Sequence, residues 1–452
     1  MDIAGRTLIA LAADLAAGAT TSRALVDAAL AAVARDGAAF TSVDAARARA
    51  EAEALDSLRA AGRVLSPLHG VPVSVKDLFD VAGEVTAAGS TLLREAAPAA
   101  DDAPAVARLR AAGAVLVGRT HMSEFAFSGL GLNPHHPRCA NPHDAARVPG
   151  GSSSGAAVSV AQGAAALGLG TDTGGSTRIP AAFCGLVGFK PTQARVTRVG
   201  TFPLSETLDS IGPLANSVAC CALVDRVIAD APVVAHPPLG AAGLRLGVPR
   251  QLVLEDLDAT VARAFERTLA RLAAAGTRVD LVDVPAFARM PEITARGGIV
   301  HADACALHRR RGLLARRERY DPNVVARIDL GARMTAADYV ELLRARAAAI
   351  GEVAALSAGF DALAWPTTPT VAPRFDEVAE PAAFGRANAL ALRNPGLANF
   401  LDRCALSLPM HAADELPSGL MLVGEHLGDA RLFAVGAAVE RVLRGQPVTG
   451  VP

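Results

Sequence analysis

The apolar positions of this chain recur in two rhythms. Near the N-terminus they follow a helical spacing, with Leu8 to Ala19 reading as an amphipathic first helix. Thr20-Thr21-Ser22 is an N-cap signal before the periodic run Leu25 to Val33. The valine-rich run Val71 to Val75 is short and unbroken, which predicts a buried strand ending just before Lys76. Residues Ala105 to Ala112 read as a helix ended by Gly113, with a strand at Ala114 to Val117. Ala156 to Ala166 reads as a small-residue helix able to pack closely, followed by a strand toward Asp172.

The same alternation continues in the second half. Strands are predicted at Leu244 to Val248, Arg278 to Val282, Phe360 to Trp365 and Leu420 to Val423. Helices are predicted at about Asp258 to Ala275, through most of residues 291 to 358, and at Asp429 to Leu443. The Pro-, Ala- and Gly-rich stretch Ala231 to Gly243 is the best candidate boundary, but helices alternate with apolar strands on both sides of it. That pattern predicts one α/β layered domain with the stretch crossing its surface.

Composition narrows the function classes. The chain has 452 residues, about half of them apolar, with material for a large core. A net charge of −1 gives no broad electrostatic footprint for nucleic acid. The basic run His308-Arg309-Arg310-Arg311 with Arg316, Arg317 and Arg319 reads as a solvated helix face rather than a binding patch. No uninterrupted apolar run reaches membrane-spanning length. The six cysteines, Cys139, Cys184, Cys220, Cys221, Cys305 and Cys404, form no C-x-x-C pair and no zinc-type spacing, so they read as buried apolar residues in a reducing, cytoplasmic compartment. No metal and no cofactor are expected.

The charged residues carry a sharper signal. Lys76 and Lys190 are the only lysines among 44 basic residues. An arginine stays protonated at any working pH and cannot act as a base, whereas a lysine loses its proton when burial lowers its pKa. Lys76 directly follows a predicted strand, where a leftover surface charge is less expected. Two glycine-rich loops follow: Gly150-Gly151-Ser152-Ser153-Ser154-Gly155, directly before a helix, and Gly170 to Pro180, in which Gly174 and Gly175 precede Ser176. Bare backbone N–H groups beside a serine suit an oxyanion and a nucleophile. A tight glycine turn with a capping serine is the plain alternative.

Rival motifs fit poorly. Gly151-Ser152-Ser153-Ser154-Gly155 matches the G-x-S-x-G elbow, but Ala145 to Pro149 is not the strand that elbow requires. Neither lysine sits in a phosphate-binding loop, and no dinucleotide fingerprint is present. His69 and His121 lie nearest the loops and read as satisfied structural histidines.

Taken together, Gly70 to Asp77, Pro149 to Gly155, Gly170 to Pro180, Cys184-Gly185, Gly188 to Thr192 and Leu208 to Pro213 closely resemble the amidase signature family. The resemblance spans nearly all of residues 1–452, is densest from 68 to 214, and leaves the helical region of about 291 to 403 to shape the acyl pocket. It implies a single α/β/α layered domain around a large mixed sheet. It implies a nucleophile at Ser176, a bridging serine at Ser152 preceded or followed by a cis peptide, and a base at Lys76. The oxyanion would rest on backbone N–H groups of Thr173, Gly174, Gly175 and Ser176. Ser153, Ser154, Asp172 and Arg178 would support these loops, the last two as an ion pair, and Lys190 would be structural. The implied reaction is cleavage of a small carboxamide through an acyl-enzyme. Other branches of the family are the glutaminase subunit of a tRNA-dependent amidotransferase and hydrolases of urea-derived carboxylates such as allophanate or a biuret derivative. A homodimer is compatible with this reading. Tyr320 and Arg327 are candidates for recognising a substrate carboxylate, although a surface tyrosine and a salt-bridged arginine is the favoured reading.

Overall fold

A computed structural model describes residues 2–232 and 234–445; the last residues of the expected domain lie outside that range. Eleven strands form one mixed sheet: β1 (Phe40–Val43), β2 (Pro72–Lys76), β3 (Val115–Thr120), β4 (Leu167–Asp172), β5 (Val187–Lys190), β6 (Ser210–Ala215), β7 (Arg245–Pro249), β8 (Arg278–Val282), β9 (Ala362–Pro366), β10 (Ala405–Pro409) and β11 (Gly419–Val423). Their order is β1-β3-β2-β4-β6-β5-β10-β11-β9-β7-β8. The sheet is continuous across the suspected boundary at 231–243, so both halves of the chain share one layered α/β/α architecture.

Residue choice explains the layers. Strands β2, β3, β4, β6, β9 and β11 are buried along their whole length, as expected where helices cover both faces. The helix Ala259–Ala274 buries Val261, Ala264, Phe265, Thr268 and Leu272, an i, i+3, i+4, i+7 stripe, and Asp258 caps it by accepting from the Val261 N–H. Thr21 caps the helix Ser22–Arg35 by accepting from Ala24 N–H, the predicted start signal. The predicted small-residue helix spans Ser154–Ala161 and lies so close to β4 that a Cβ on Gly168 would meet the Ala156 carbonyl at 2.6 Å. All six cysteines are free and buried.

The pairing of β2 with both β3 and β4 is parallel, with Val75 opposite Leu169. Their C-terminal ends therefore emerge together at one edge of the sheet, and the loop 173–177 begins there. Ligand sites in parallel sheets concentrate at such strand ends.

Candidate active site

Lys76 is the last residue of β2 and is fully buried. Its Nζ lies 2.8 Å from Ser152 Oγ and 2.8 Å from Thr171 Oγ1. Burial lowers the amine to a pKa of about 7, against the opposing pull of Asp209 and Asp172. Near neutrality a substantial fraction of this lysine is thus an uncharged amine. Among the described residues, no carboxylate is in contact with it; its hydrogen-bond partners are the two hydroxyls.

The Gly151-Ser152 peptide is cis, the first of the two expected positions. Gly150 has φ +77°, and a Cβ there would meet Pro180 backbone at 2.9 Å, so only glycine suits this turn. The neighbouring serines divide their tasks. Ser153 N–H donates to the Ser176 carbonyl (3.2 Å) and Ser153 Oγ donates to the Thr171 carbonyl (3.2 Å), tying the two loops together. Ser154 Oγ instead bonds His121, 2.8 Å from Nδ1, and anchors the start of its helix away from Lys76.

Asp172 organises the second loop. It is fully buried and accepts from Gly175 N–H (2.8 Å), Thr177 N–H (3.1 Å), Arg178 Nε (3.0 Å), Arg178 Nη2 (2.8 Å) and Asn399 Nδ2 (2.9 Å). Burial alone would raise this carboxyl; the Arg178 guanidinium and the other donors hold it far below the usual carboxylate range. Arg178 also donates to the Pro395 carbonyl at 2.9 Å and to Asn399 Oδ1 at 2.6 Å. The expected ion pair is therefore a buried network that reaches into the helix Pro381–Phe400. The Gly175 N–H is committed to Asp172. Among the described residues, the N–H groups of Thr173, Gly174 and Ser176 have no protein acceptor.

Ser176 opens onto a cavity of about 430 Å³. Its walls include Phe127, Leu204, Leu208, Ile299, Leu397 and Phe400, so it is mostly apolar. The lining also includes Gly298, His301 and Arg327, and six residues between Ala389 and Phe400 of the helix Pro381–Phe400. The expected pocket region thus contributes, although the helix Ala336–Ser357 supplies no lining residue. The structure brings Lys76 and Ser152 into direct contact and ties the Ser176 backbone to the same loop through Ser153, but among the described residues no hydrogen bond joins Ser176 Oγ to Ser152.

Tyr320 and Arg327 depart from the favoured reading. Tyr320 is buried, its hydroxyl 2.7 Å from His308 Nδ1, and it does not line the cavity. Arg327 lines the cavity and makes no salt bridge among the described residues; its Nε is shielded and has no partner. Sequence reading assigned no role to Thr171, Asp209, Asn399 or His301. Thr171 and Asp209 stood inside quoted motifs without a role, and Asp209 accepts a 2.6 Å bond from Thr173 Oγ1. Asn399 and His301 carry no local signal, since only tertiary packing brings them here. Lys190 is buried and donates to the Pro191 carbonyl at 2.6 Å, and His69 is satisfied by Leu55 and Leu65 backbone groups. Within the basic run, Arg309 to Arg311 are exposed as expected, but His308 is buried.

One glycine-serine loop precedes the helix Ser154–Ala161 and meets the end of β2 through Ser152 and Lys76, and the other follows β4. The chain belongs to the amidase family, whose profile matches residues 23–433. It is 38% identical over 425 residues to 2-amino-5-chloromuconic acid deaminase of Comamonas testosteroni, covering 92% of this chain and 90% of that protein. It is 40% identical over 489 aligned residues to the A-type subunit of the glutamyl-tRNA(Gln) amidotransferase of Anaeromyxobacter sp. (strain K), covering 97% and 96%. A crystal structure of an amidase superposes with TM-score 0.87 at 35% identity, covering 96% of this chain and 99% of that one.

Proposed function

We propose that the protein hydrolyses the amide bond of a small carboxamide through an acyl-enzyme on Ser176. Uncharged Lys76 accepts a proton from Ser152, which accepts one from Ser176. Ser176 Oγ bonds to the amide carbonyl carbon, and the oxyanion rests on the N–H groups of Thr173, Gly174 and Ser176. The relay returns its proton to the leaving nitrogen as the C–N bond breaks. Water, deprotonated by the same relay, then cleaves the acyl ester, giving a carboxylate and ammonia or an amine. The observation that carries this reading is the buried, contact-unpaired amine of Lys76 at 2.8 Å from Ser152. Arg could not replace it, because a guanidinium keeps its proton.

The test is ammonia release from a panel of small amides by the purified chain, run beside Ser176→Ala. Loss of turnover in a folded mutant is the expected result; an unchanged rate removes Ser176 from the mechanism.

The similarity to the A-type subunits of amidotransferases supports a second reading, in which the ammonia passes to a partner. Hydrolysis of glutamine only when partner chains are added would favour it. Hydrolysis of a urea-derived carboxylate, such as allophanate or a biuret derivative, belongs to the same panel. The free, buried cysteines suit a cytoplasmic setting. We expect a homodimer, to be checked by light scattering.

A further inference from the structure

A second cavity, of about 460 Å³, borders the loop of Ser152 and shares no lining residue with the cavity before Ser176. Gly131 on its wall packs against the Gly150 carbonyl, so the cavity abuts that loop directly. Its lining also includes His121, His136, Arg138, Asp321 and Phe375. The two histidines are left chemically incomplete by their surroundings.

His121 directly follows β3 and is 1% exposed. Its carbonyl accepts the Ser154 O–H at 3.2 Å, which commits the Ser154 proton. Ser154 Oγ therefore accepts from His121 Nδ1–H, 2.8 Å away. That fixes the tautomer: His121 Nε2 holds a bare lone pair, and it has no partner among the described residues. His136 Nε2 is also shielded and also unpartnered. Burial lowers both rings, His121 to about 3 and His136 to about 4, so both are neutral near pH 7. Buried nitrogens left without partners are exceptions that call for a bound species to satisfy them.

The spacing selects an ion. The two rings stand at 75° with their centroids 5.9 Å apart, and no hydrogen bond joins the two Nε2 atoms. Two imidazoles that share one zinc through nitrogens at about 2.1 Å have centroids about 5–6 Å apart. A ring whose other N–H is held by an oxygen is also the usual state of a metal-ligating histidine. His143 and His411 form a pair of similar spacing, 6.4 Å, but His143 Nε2 lies 3.1 Å from the Cys184 carbonyl and carries a proton there. We propose that His121 and His136 bind a transition-metal ion of the zinc class through their Nε2 atoms. Among the described residues no group of three His, Cys, Asp or Glu side chains could hold an ion, so water completes the coordination. With two protein ligands and the Arg138 guanidinium on the same wall, affinity should be micromolar, well short of a structural zinc. The ligand set favours imidazole-seeking ions over Mg²⁺ and Ca²⁺, which prefer oxygen. The bound ion would hold the His121 ring against Ser154, on the far side of the Ser152 loop from the substrate cavity.

The test takes the purified full chain, stripped with a chelator, and titrates it calorimetrically with Zn²⁺ near neutral pH, with Mg²⁺ as the control. We expect one Zn²⁺ per chain and no uptake of Mg²⁺. His136→Phe and His121→Phe should each weaken Zn²⁺ binding by at least about 100-fold, whereas His411→Phe should leave it unchanged. His136 is only partly buried, so its variant should fold even where the His121 variant does not, as thermal denaturation will show. Cu²⁺ bound in place of Zn²⁺ should give an electron paramagnetic resonance spectrum with coupling to two imidazole nitrogens. Absence of Zn²⁺ uptake by the wild-type chain overturns the site. So does uptake that a folded variant of either histidine retains, or a Cu²⁺ spectrum without imidazole coupling. None of these results touches the Ser176 mechanism, which the amide panel tests separately.

Discussion

Two regions meet at Ser176 and are built on opposite rules. On one side, the loops at the ends of β2 and β4 are almost wholly buried, and Lys76, Ser152, Asp172 and Arg178 have no exposed surface. Each polar atom of Asp172 and most of those of Arg178 have fixed partners. On the other side, the wall made by residues between 290 and 301, Arg327 and the helix Pro381–Phe400 is partly exposed, and Arg327 has no salt-bridge partner among the described residues. Bond-making chemistry tolerates no slack, so its side is over-determined. Substrate choice needs a wall whose residues can change without disturbing that chemistry, so its side is carried by separate helices.

That contrast is broken most decisively at the proposed nucleophile. Ser176→Ala should lower kcat by at least about 10⁴-fold with the melting temperature nearly unchanged, measured by ammonia release and thermal denaturation. Lys76→Arg should cost about 10³-fold or more, because the charge survives but the base does not; a fully active arginine variant would reduce position 76 to a mere cation. Asp172→Ala strips the counter-charge from buried Arg178 and should destabilise the fold by about 3–5 kcal/mol in denaturant titrations. An Asp172→Ala protein as stable as wild type would show that the network is not what holds the loop.

The pH profile gives a milder effect with a definite sign. In the proposed relay the active form of Lys76 is the deprotonated one, and burial lowers its pKa to about 7. The rate should therefore fall below neutrality and reach a plateau above it, losing about tenfold per pH unit on the acid side. A flat profile from pH 5 to 8 would contradict a titrating amine in the relay. The smallest effect is expected on the other side of the cavity: Leu397→Ala should shift preference among amides of different chain length by about 1–3 kcal/mol while leaving the fold intact.

The same contrast decides what could be read from the chain. The chemical side announced itself, because a scarce lysine and glycine-serine loops are unusual local patterns, and the cis peptide and the Asp172–Arg178 pair fell where the resemblance implied. Strands β2, β7, β8, β9 and β11 were legible as short apolar runs to within about two residues. Strands β5 and β6 were not: Val187-Gly188-Phe189-Lys190 is brief, and glycine and proline interrupt Ser210 to Ala215. The helix Pro381–Phe400 was hidden by Pro395 and Gly396, which usually end helices. Here Pro395 packs against Gly175, where a Cβ would come within 2.6 Å of it, so a helix-breaking residue is retained for a tertiary contact. Arg327 was misjudged as salt-bridged because pairing is the ordinary fate of an arginine, and an absent partner leaves no trace in a sequence.

The lowered pKa of Lys76 has a source that no single residue owns. It comes from dryness: the amine is held near neutrality by the protein packed around it rather than by any neighbouring cation. Hydration of that chamber would restore the proton and silence the relay with every reactive group still in position. On the proposed mechanism, core substitutions far from the hydroxyls, at positions that merely keep water out from beneath β2, should therefore weaken the relay without touching a reactive group.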